Sequence, residues 1–228
     1  MKKKLVLFGT GEIAELAHTY FTHDSDYTVV AFAADDAFVK EDKFMNLPLV
    51  PLSRLARDYP PSTHHAHVAL SYRKLNLIRK SKYEEIKALG YTMASYVCSK
   101  SVLWPDLTIG DNCFILENQT IQPTVKIGNN VMIWSGNHLG HGCQIKDHVY
   151  IASHVCISGH VVLGEQSFVG VNATFKDFTK VGKRSFIAMD ASVTKDLPDD
   201  CVVLGAPSTI LAAENELAIK IKSKYFGL

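Results

Sequence analysis

Residues 139–170, broken into sixes, read LGHGCQ IKDHVY IASHVC ISGHVV LGEQSF VG. Each group opens on Leu, Ile or Val, and the register extends well beyond this stretch. From Val97, every sixth residue is apolar: Leu103, Ile109, Ile115, Ile121, Ile127, Ile133, Leu139, Ile145, Ile151, Ile157, Leu163, Val169, Phe175, Val181, Ile187 and Val193, with no insertion. The next position is often glycine, as at Gly110, Gly128, Gly140, Gly164, Gly170 and Gly182. Four residues after the apolar position come small or medium side chains such as Cys113, Val131, Val149, Val161 and Ala173. An α-helix cannot use this period, because residues six apart fall on different faces. A solenoid can. Short strands carry the apolar residue inward, and Gly, Asn or Asp turns each corner. Three hexads make an 18-residue triangular coil, and coils stack as parallel strands about 4.8 Å apart. Residues eighteen apart then lie one above the other.

The totals are those of a globular chain: 228 residues, 47% apolar, 21% charged, formal net charge +1. That charge implies no strong pull toward nucleic acid or an anionic membrane. The opening Met1–Phe8 is too short an apolar run for a signal peptide, and no stretch is long enough to span a bilayer. Cys98, Cys113, Cys143, Cys156 and Cys201 form no C-x-x-C pair and no even framework. They read as reduced thiols of a cytoplasmic protein.

Ahead of the solenoid, Lys4–Phe8 reads as a buried strand. It is followed by Gly9-Thr10-Gly11-Glu12-Ile13-Ala14, a helical pattern through Phe21, a second strand from Tyr27 to Ala33, and Asp35-Asp36. This is a Rossmann-like strand–turn–helix–strand unit with G-x-G-x-x-A. Its turn and helix N-terminus suit a phosphate, and Asp35 or Asp36 a ribose or base. The alternative is a structural turn that binds nothing. The unit has room for only half of a doubly wound domain, which argues against a nicotinamide dehydrogenase. A third strand, Val68 to Leu70, precedes Arg73, Asn76 and Arg79, whose spacing predicts one helix face. That face would suit a diphosphate or simply be solvated. The expected division is a nucleotide-binding unit over 1–95, a β-helix over 96–211 and a short helical tail over 212–228.

The repeat resembles the hexapeptide-repeat acyltransferases, which fold as left-handed parallel β-helices. The two-part order further resembles bacterial acetyltransferases of nucleotide-linked amino sugars, with which the sialic-acid O-acetyltransferase proteins group. The closing Val202-Val203-Leu204-Gly205-Ala206-Pro207 is similar to the V-x-G-x-P segment near their coenzyme. The resemblance implies an N-acetyltransferase of surface-glycan assembly that uses acetyl-CoA and no metal, with the nucleotide-sugar held by the N-terminal unit. It also implies a homotrimer with the coenzyme between neighbouring helices. Trp134, Tyr150 and Phe168 are outward positions expected to be covered by such a neighbour. The implied coenzyme residues are Ser158, Gly159, Gly170, Ala188, Gly205 and Pro207. The implied acceptor residues are Gly9, Thr10, Gly11, Asp35, Asp36, Arg73, Asn76, Arg79, His138 and Tyr150.

Five histidines crowd residues 138–160. His148, His154 and His160 each follow a hexad residue by three, so they leave three different corners and cannot share one metal at the required 2.0–2.1 Å. His148 and His154 read as idle. His141 differs, because the residue one coil above it is Gly159. A base beside a bare amide can serve acyl transfer, with the imidazole removing a proton and the N–H holding the oxyanion. The family's catalytic histidine falls on His141 and its oxyanion donor on Gly159. Where relatives can place a glutamate after the histidine, this chain has Gly142, and a second family histidine is Tyr150. His138 or Asn137 is therefore expected to orient His141. A histidine base serves a hydroxyl as well as an amine, which keeps open a sugar O-acetyltransferase; Gly142 and Tyr150 keep open a non-catalytic scaffold and a metal-dependent hydratase on the same fold.

Overall fold

The computed structural model describes residues 2–206 and 210–227. The N-terminal unit runs β1 (Lys3–Phe8), α1 (Glu12–His23), β2 (Tyr27–Ala34), β3 (Lys43–Phe44), β4 (Leu47–Pro51), α2 (Leu52–Asp58), β5 (His65–Val68), α3 (Leu77–Ala88) and β6 (Thr92–Met93). The sheet order is β3-β4-β2-β1-β5-β6. Every pairing is parallel except the β3–β4 hairpin. β1 is buried on both faces: Leu5 and Leu7 meet Ala14, Ala17 and Phe21 of α1, while Val6 and Phe8 meet Leu55, Tyr83 and Ile86 of α2 and α3. Such a strand reads as a continuous apolar run, which is why the sequence reveals it. β5 lies three residues before the strand predicted at Val68–Leu70. It hides His67, whose Nδ1 sits 2.8 Å from the Ala94 carbonyl oxygen, so polarity masks its start.

The second half is a left-handed β-helix of two-residue strands in three parallel sheets. Residues eighteen apart pair, as in Met132 with Tyr150, His138 with Cys156 and Gln144 with Val162. The hexad residues and the small residues four later fill one continuous core from Cys113 to Val193. Fully burying a Val, Leu or Ile side chain contributes about 1.5–3 kcal/mol, and this repeat does so in nearly every hexad. The corners turn at left-handed residues three after each hexad position, including Asn112, Asn130, His148, His154 and His160 at φ 53, 54, 63, 59 and 58°. Asn, Asp and His tolerate this region best among residues with a side chain, which accounts for their recurrence.

The repeat frays at both ends. Leu103 is exposed and outside any strand, and its side of the first coil is held only by a single bridge from Val102 to Thr120, so that coil closes more loosely than those above. Val203 pairs with Ile187, sixteen residues back, so the last coil is two residues short. The helix α4 (Glu216–Phe226) follows, capped by the Asn215 side chain, which accepts from the Leu217 N–H at 2.9 Å.

The seven-stranded sheet, from Tyr96–Val97 to Val202–Val203, carries the N-terminal unit. Phe114, Met132 and Tyr150 are buried there with Phe21 and Tyr96, and Trp134 and Phe168 pack on the same cluster. Tyr150 stacks on Phe168 at 5.2 Å, and Tyr72 meets both rings edge-on. This corrects the expectation that Trp134, Tyr150 and Phe168 await a neighbouring chain: the chain covers them itself.

A second correction concerns the basic triplet. Lys74, Leu75 and Asn76 have φ of 51, 50 and 64°, so α3 begins only at Leu77 and the three residues share no helix face. Arg73 is exposed in the preceding turn. Asn76 and Arg79 lie buried against one β-helix corner. The Asn76 amide donates to the Ser167 carbonyl at 3.2 Å, and Arg79 Nη2 donates to the carbonyls of His148 and Val149 at 3.3 and 3.2 Å. The Arg79 guanidinium also sits 5.7 Å from the Tyr150 ring centre. These two side chains bind the halves together and offer nothing to a diphosphate. His148 is likewise not idle. It is 5% exposed, lies 3.0 Å through Nδ1 from the Asn130 amide, and meets the Tyr83 ring edge-on.

Arg79→Ala removes a buried guanidinium and leaves the buried His148 carbonyl unpaired, whereas the Val149 carbonyl keeps the Met132 N–H. It is expected to cost about 2–4 kcal/mol in urea unfolding, against less than about 0.5 for exposed Arg73→Ala. Burial pushes both His67 and His148 down to about 4. Both are ordinary in the unfolded chain, near 6.5. Their contribution is therefore complete above pH 6.5 and is lost as pH falls toward 4, by up to about 1.4 kcal/mol per pH unit for each. His148→Asn suits the left-handed corner, as Asn112 and Asn130 do. It should remove about one proton from the pH dependence of the urea midpoint between pH 4 and 6.5.

Candidate active site

His141 stands at the corner joining the His138–Leu139 strand to the Gln144–Ile145 strand. This corner is opposite the seven-stranded sheet. Its side chain is exposed. A Cβ added to Gly159 would lie 2.7 Å from the His141 Cε1 and 3.0 Å from its Nε2. The ring thus occupies the space that the absent side chain leaves, as eighteen-residue stacking requires. His160 presents its ring edge-on to His141 at 4.8 Å and stacks on Phe178 at 4.9 Å. Phe178 is 68% exposed although it is a large aromatic, so this corner offers an aromatic wall to solvent.

Gly142 has φ +69°, and a Cβ there would meet His160 Nδ1 at 2.4 Å. An acidic side chain after His141 is therefore incompatible with His160 where it stands. Asn137 does not orient His141 either. It is buried, with its amide on the Trp134 carbonyl and its Oδ1 accepting from the Val155 N–H at 2.7 Å. His138 lies on the adjoining strand, half-buried between Thr120 and Cys156. The partner of His141 is Gln122, whose Oε1 lies 2.9 Å from the His141 backbone nitrogen and 3.2 Å from Nδ1. Sequence reasoning missed Gln122, although the signal was present. It stands one coil below Gly140, where a long polar side chain meets no Cβ above it and can reach the next residue.

The Gly159 amide is not bare, as had been expected; its N–H donates to Asp177 Oδ1 at 2.7 Å. Cys143 points inward, and burial raises its thiol to about 11. That leaves it a poor nucleophile despite its closeness to His141.

The N-terminal residues form a separate region. Gly9, at φ +136°, brings the backbone against the Ala69 carbonyl, where any Cβ would lie at 2.6 Å. Gly9, Thr10, Asp35, Ser71 and Arg73 line a cavity of ≈ 200 Å³. Gly11, Tyr72, Arg73, Trp134 and Tyr150 line an adjoining one of ≈ 370 Å³ between the two halves. Asp35 pairs with Lys82 at 2.5 Å. Asp36 is engaged elsewhere: it accepts from the Ser53 N–H and hydroxyl at 3.1 and 2.6 Å, and those bonds hold its carboxyl below the usual range. Asp36 thus secures the first turn of α2. Of the coenzyme candidates, Ser158 and Gly159 share the His141 corner, whereas Gly170, Ala188 and Gly205 sit at the corner beyond the His138 sheet. Pro207 lies outside the described residues. Among the described residues, no three His, Cys, Asp or Glu side chains are grouped to hold a metal ion.

Residues 124–159 match the family model described as "Bacterial transferase hexapeptide (six repeats)". The chain is 28% identical over 111 residues to an acyl-[acyl-carrier-protein]–UDP-N-acetylglucosamine O-acyltransferase of Sinorhizobium fredii, covering 46% of this chain and 41% of that one. It is 29% identical over 120 residues to the bifunctional protein GlmU of Listeria monocytogenes, covering 45% and 26%. It thus spans less than half the length of either. Among solved structures, the acetyltransferase domain of PglB from Neisseria gonorrhoeae superposes with a TM-score of 0.79 at 21% identity, over 92% of this chain and 100% of that one. Perosamine N-acetyltransferase from Caulobacter crescentus, solved with CoA and GDP-perosamine, gives 0.79 at 19%, over 92% and 97%. The chain therefore carries the bacterial transferase hexapeptide repeat, folded as a left-handed β-helix behind an N-terminal α/β unit.

Proposed function

We propose that this chain is a cytoplasmic acetyl-CoA-dependent N-acetyltransferase acting on the amino group of a nucleotide-linked sugar. The observation that carries this reading is the His141 ring seated on Gly159 at an exposed corner. The structures of similar fold solved with CoA and GDP-perosamine support it. The Gly9–Gly11 turn and the N-terminus of α1 take the diphosphate. Asp35 takes a ribose or base hydroxyl, and Arg73 lies at the rim of both cavities.

The acceptor amine, bound neutral, attacks the thioester carbonyl carbon. A C–N bond forms and the carbonyl electrons move onto oxygen. When that oxyanion collapses the C–S bond breaks. His141 takes the proton from the attacking nitrogen and passes it to the departing sulfur, so the products are an amide and free CoA thiol. The Gly159 N–H holds the oxyanion once Asp177 releases it, which costs little for an exposed side chain.

The arrangement calls for more than one chain. The nucleotide cavities lie beside the seven-stranded sheet, and His141 lies at the opposite corner. The coenzyme residues split between two corners in the same way. A homotrimer that sets the His141 corner of one chain beside the cavities of the next resolves both separations.

Thiol release from acetyl-CoA with UDP-, dTDP- and GDP-linked amino sugars tests the activity; silence across that panel would sink the proposal. His141→Asn should lower kcat by roughly 10²–10⁴ with the fold intact by circular dichroism, since a solvent-facing corner is not core. Light scattering should find a trimer. Mixing inactive His141→Asn chains with inactive Thr10→Trp chains, then refolding them together, should restore part of the activity. A monomer as active as the mixture would show that one chain suffices.

A further inference from the structure

Two nitrogen atoms of one residue converge on a single oxygen. Gln122 Oε1 lies 2.9 Å from the His141 backbone nitrogen and 3.2 Å from its Nδ1. A backbone N–H can only donate. The Gln122 atom facing it is therefore the carbonyl oxygen and not the amide nitrogen, which fixes the orientation of the amide. An oxygen has no proton to give to Nδ1, so the Nδ1 within its reach must itself carry one. We infer that Gln122 is the positioning residue of His141: it locks the imidazole in the Nδ1–H tautomer and leaves the Nε2 lone pair free on the edge that lies over Gly159. The inference rests on the reading of His141 as the base, and it adds which nitrogen acts and what holds it.

The surroundings leave this task to the coil below. Gly142 cannot bear an acid while His160 stands where it does, because a Cβ there would be 2.4 Å from the His160 ring. Gly140 has no side chain, so Gln122 can lie up against residue 141. The group facing His141 from the coil above is His160, at 4.8 Å between ring centres; Asp177, two coils above His141, is held on the Gly159 N–H. Gln122 differs from a carboxylate orienter in being neutral. It selects the tautomer through geometry alone and lends no charge to the imidazolium formed when the proton is taken.

Two substitutions separate these roles. Gln122→Met keeps the length and removes the acceptor; Gln122→Glu keeps the acceptor and adds a charge. In the full chain, side-chain ¹⁵N shifts of neutral His141 should report Nδ1–H in the wild type and in Gln122→Glu, and loss of that preference in Gln122→Met. Activity of Gln122→Met should fall by roughly 10–100-fold in kcat, less than removal of the base itself, with KM for acetyl-CoA within about twofold. Gln122→Glu should keep most of kcat at its plateau and move the acid limb of the pH–rate profile up by roughly one unit, since a carboxylate favours the imidazolium. A wild-type ring found as Nε2–H, or Gln122→Met with wild-type kcat and profile, overturns the inference. If Gln122→Met does not fold, the wild-type tautomer and the Gln122→Glu profile decide. An active His141→Asn would instead remove the reading of His141 as base, and the tautomer measurement would stand by itself.

Discussion

The closure of each coil at eighteen residues is the constraint on which everything else hangs. Because Met132 pairs with Tyr150 and Tyr150 with Phe168, chemistry at one height is a statement about the residues directly above and below. The apolar hexad residues hold the count, since a slip of one position would turn a buried Ile outward and a polar neighbour inward. The left-handed corners complete it by letting the chain change direction within a few residues. The candidate site is a by-product of that arithmetic: a histidine at a corner, and a glycine one coil on that gives its ring somewhere to lie.

The N-terminal unit uses a different currency. It is held to the β-helix by aromatic packing on the seven-stranded sheet and by a buried guanidinium on a corner. Burial lowers Arg79 to about 10, so the group remains charged at neutral pH, with carbonyls and the Tyr150 ring in place of water. Ion pairs of Lys80 with Glu165 and Lys87 with Asp111, both at 2.6 Å, frame it. Such half-exposed pairs contribute little individually, so the apolar sheet face and the buried arginine set the strength of the junction. The two cavities of the N-terminal unit open beside that junction, which supplies Trp134 and Tyr150 to the walls of one of them.

The β-helix was legible in the sequence because its contacts are periodic: the residue that Ile133 meets can be read by adding eighteen. The partners of Arg79 and Asn76 could not be read this way. They lie 69 to 91 positions along the chain, and no repeat relates the two halves. The same distance hid the burial of His148, which looks like any other corner residue until α3 is laid over it. The β4–α2 segment went unread because its strand is short and its helix has only Leu55 buried. At the candidate site, His141 and Gly159 followed from the repeat, and Gln122 was available from the same arithmetic. What period alone could not reveal was the Asp177 carboxylate on the Gly159 amide, because it depends on a side-chain rotamer.

The unbroken register between Val97 and Val193 also limits how this chain can change in length. Removing one hexad between His141 and Gly159 would set Glu165 above the histidine, and removing a whole coil would set Asp177 there. Either change would leave a solenoid that still closes and still buries its core. It would replace the open space beside the imidazole with a carboxylate. Lineages of this chain can therefore lengthen or shorten at the loose first coil or after the shortened last one, while the span from Gln122 to Asp177 is frozen in count even where it is free in composition.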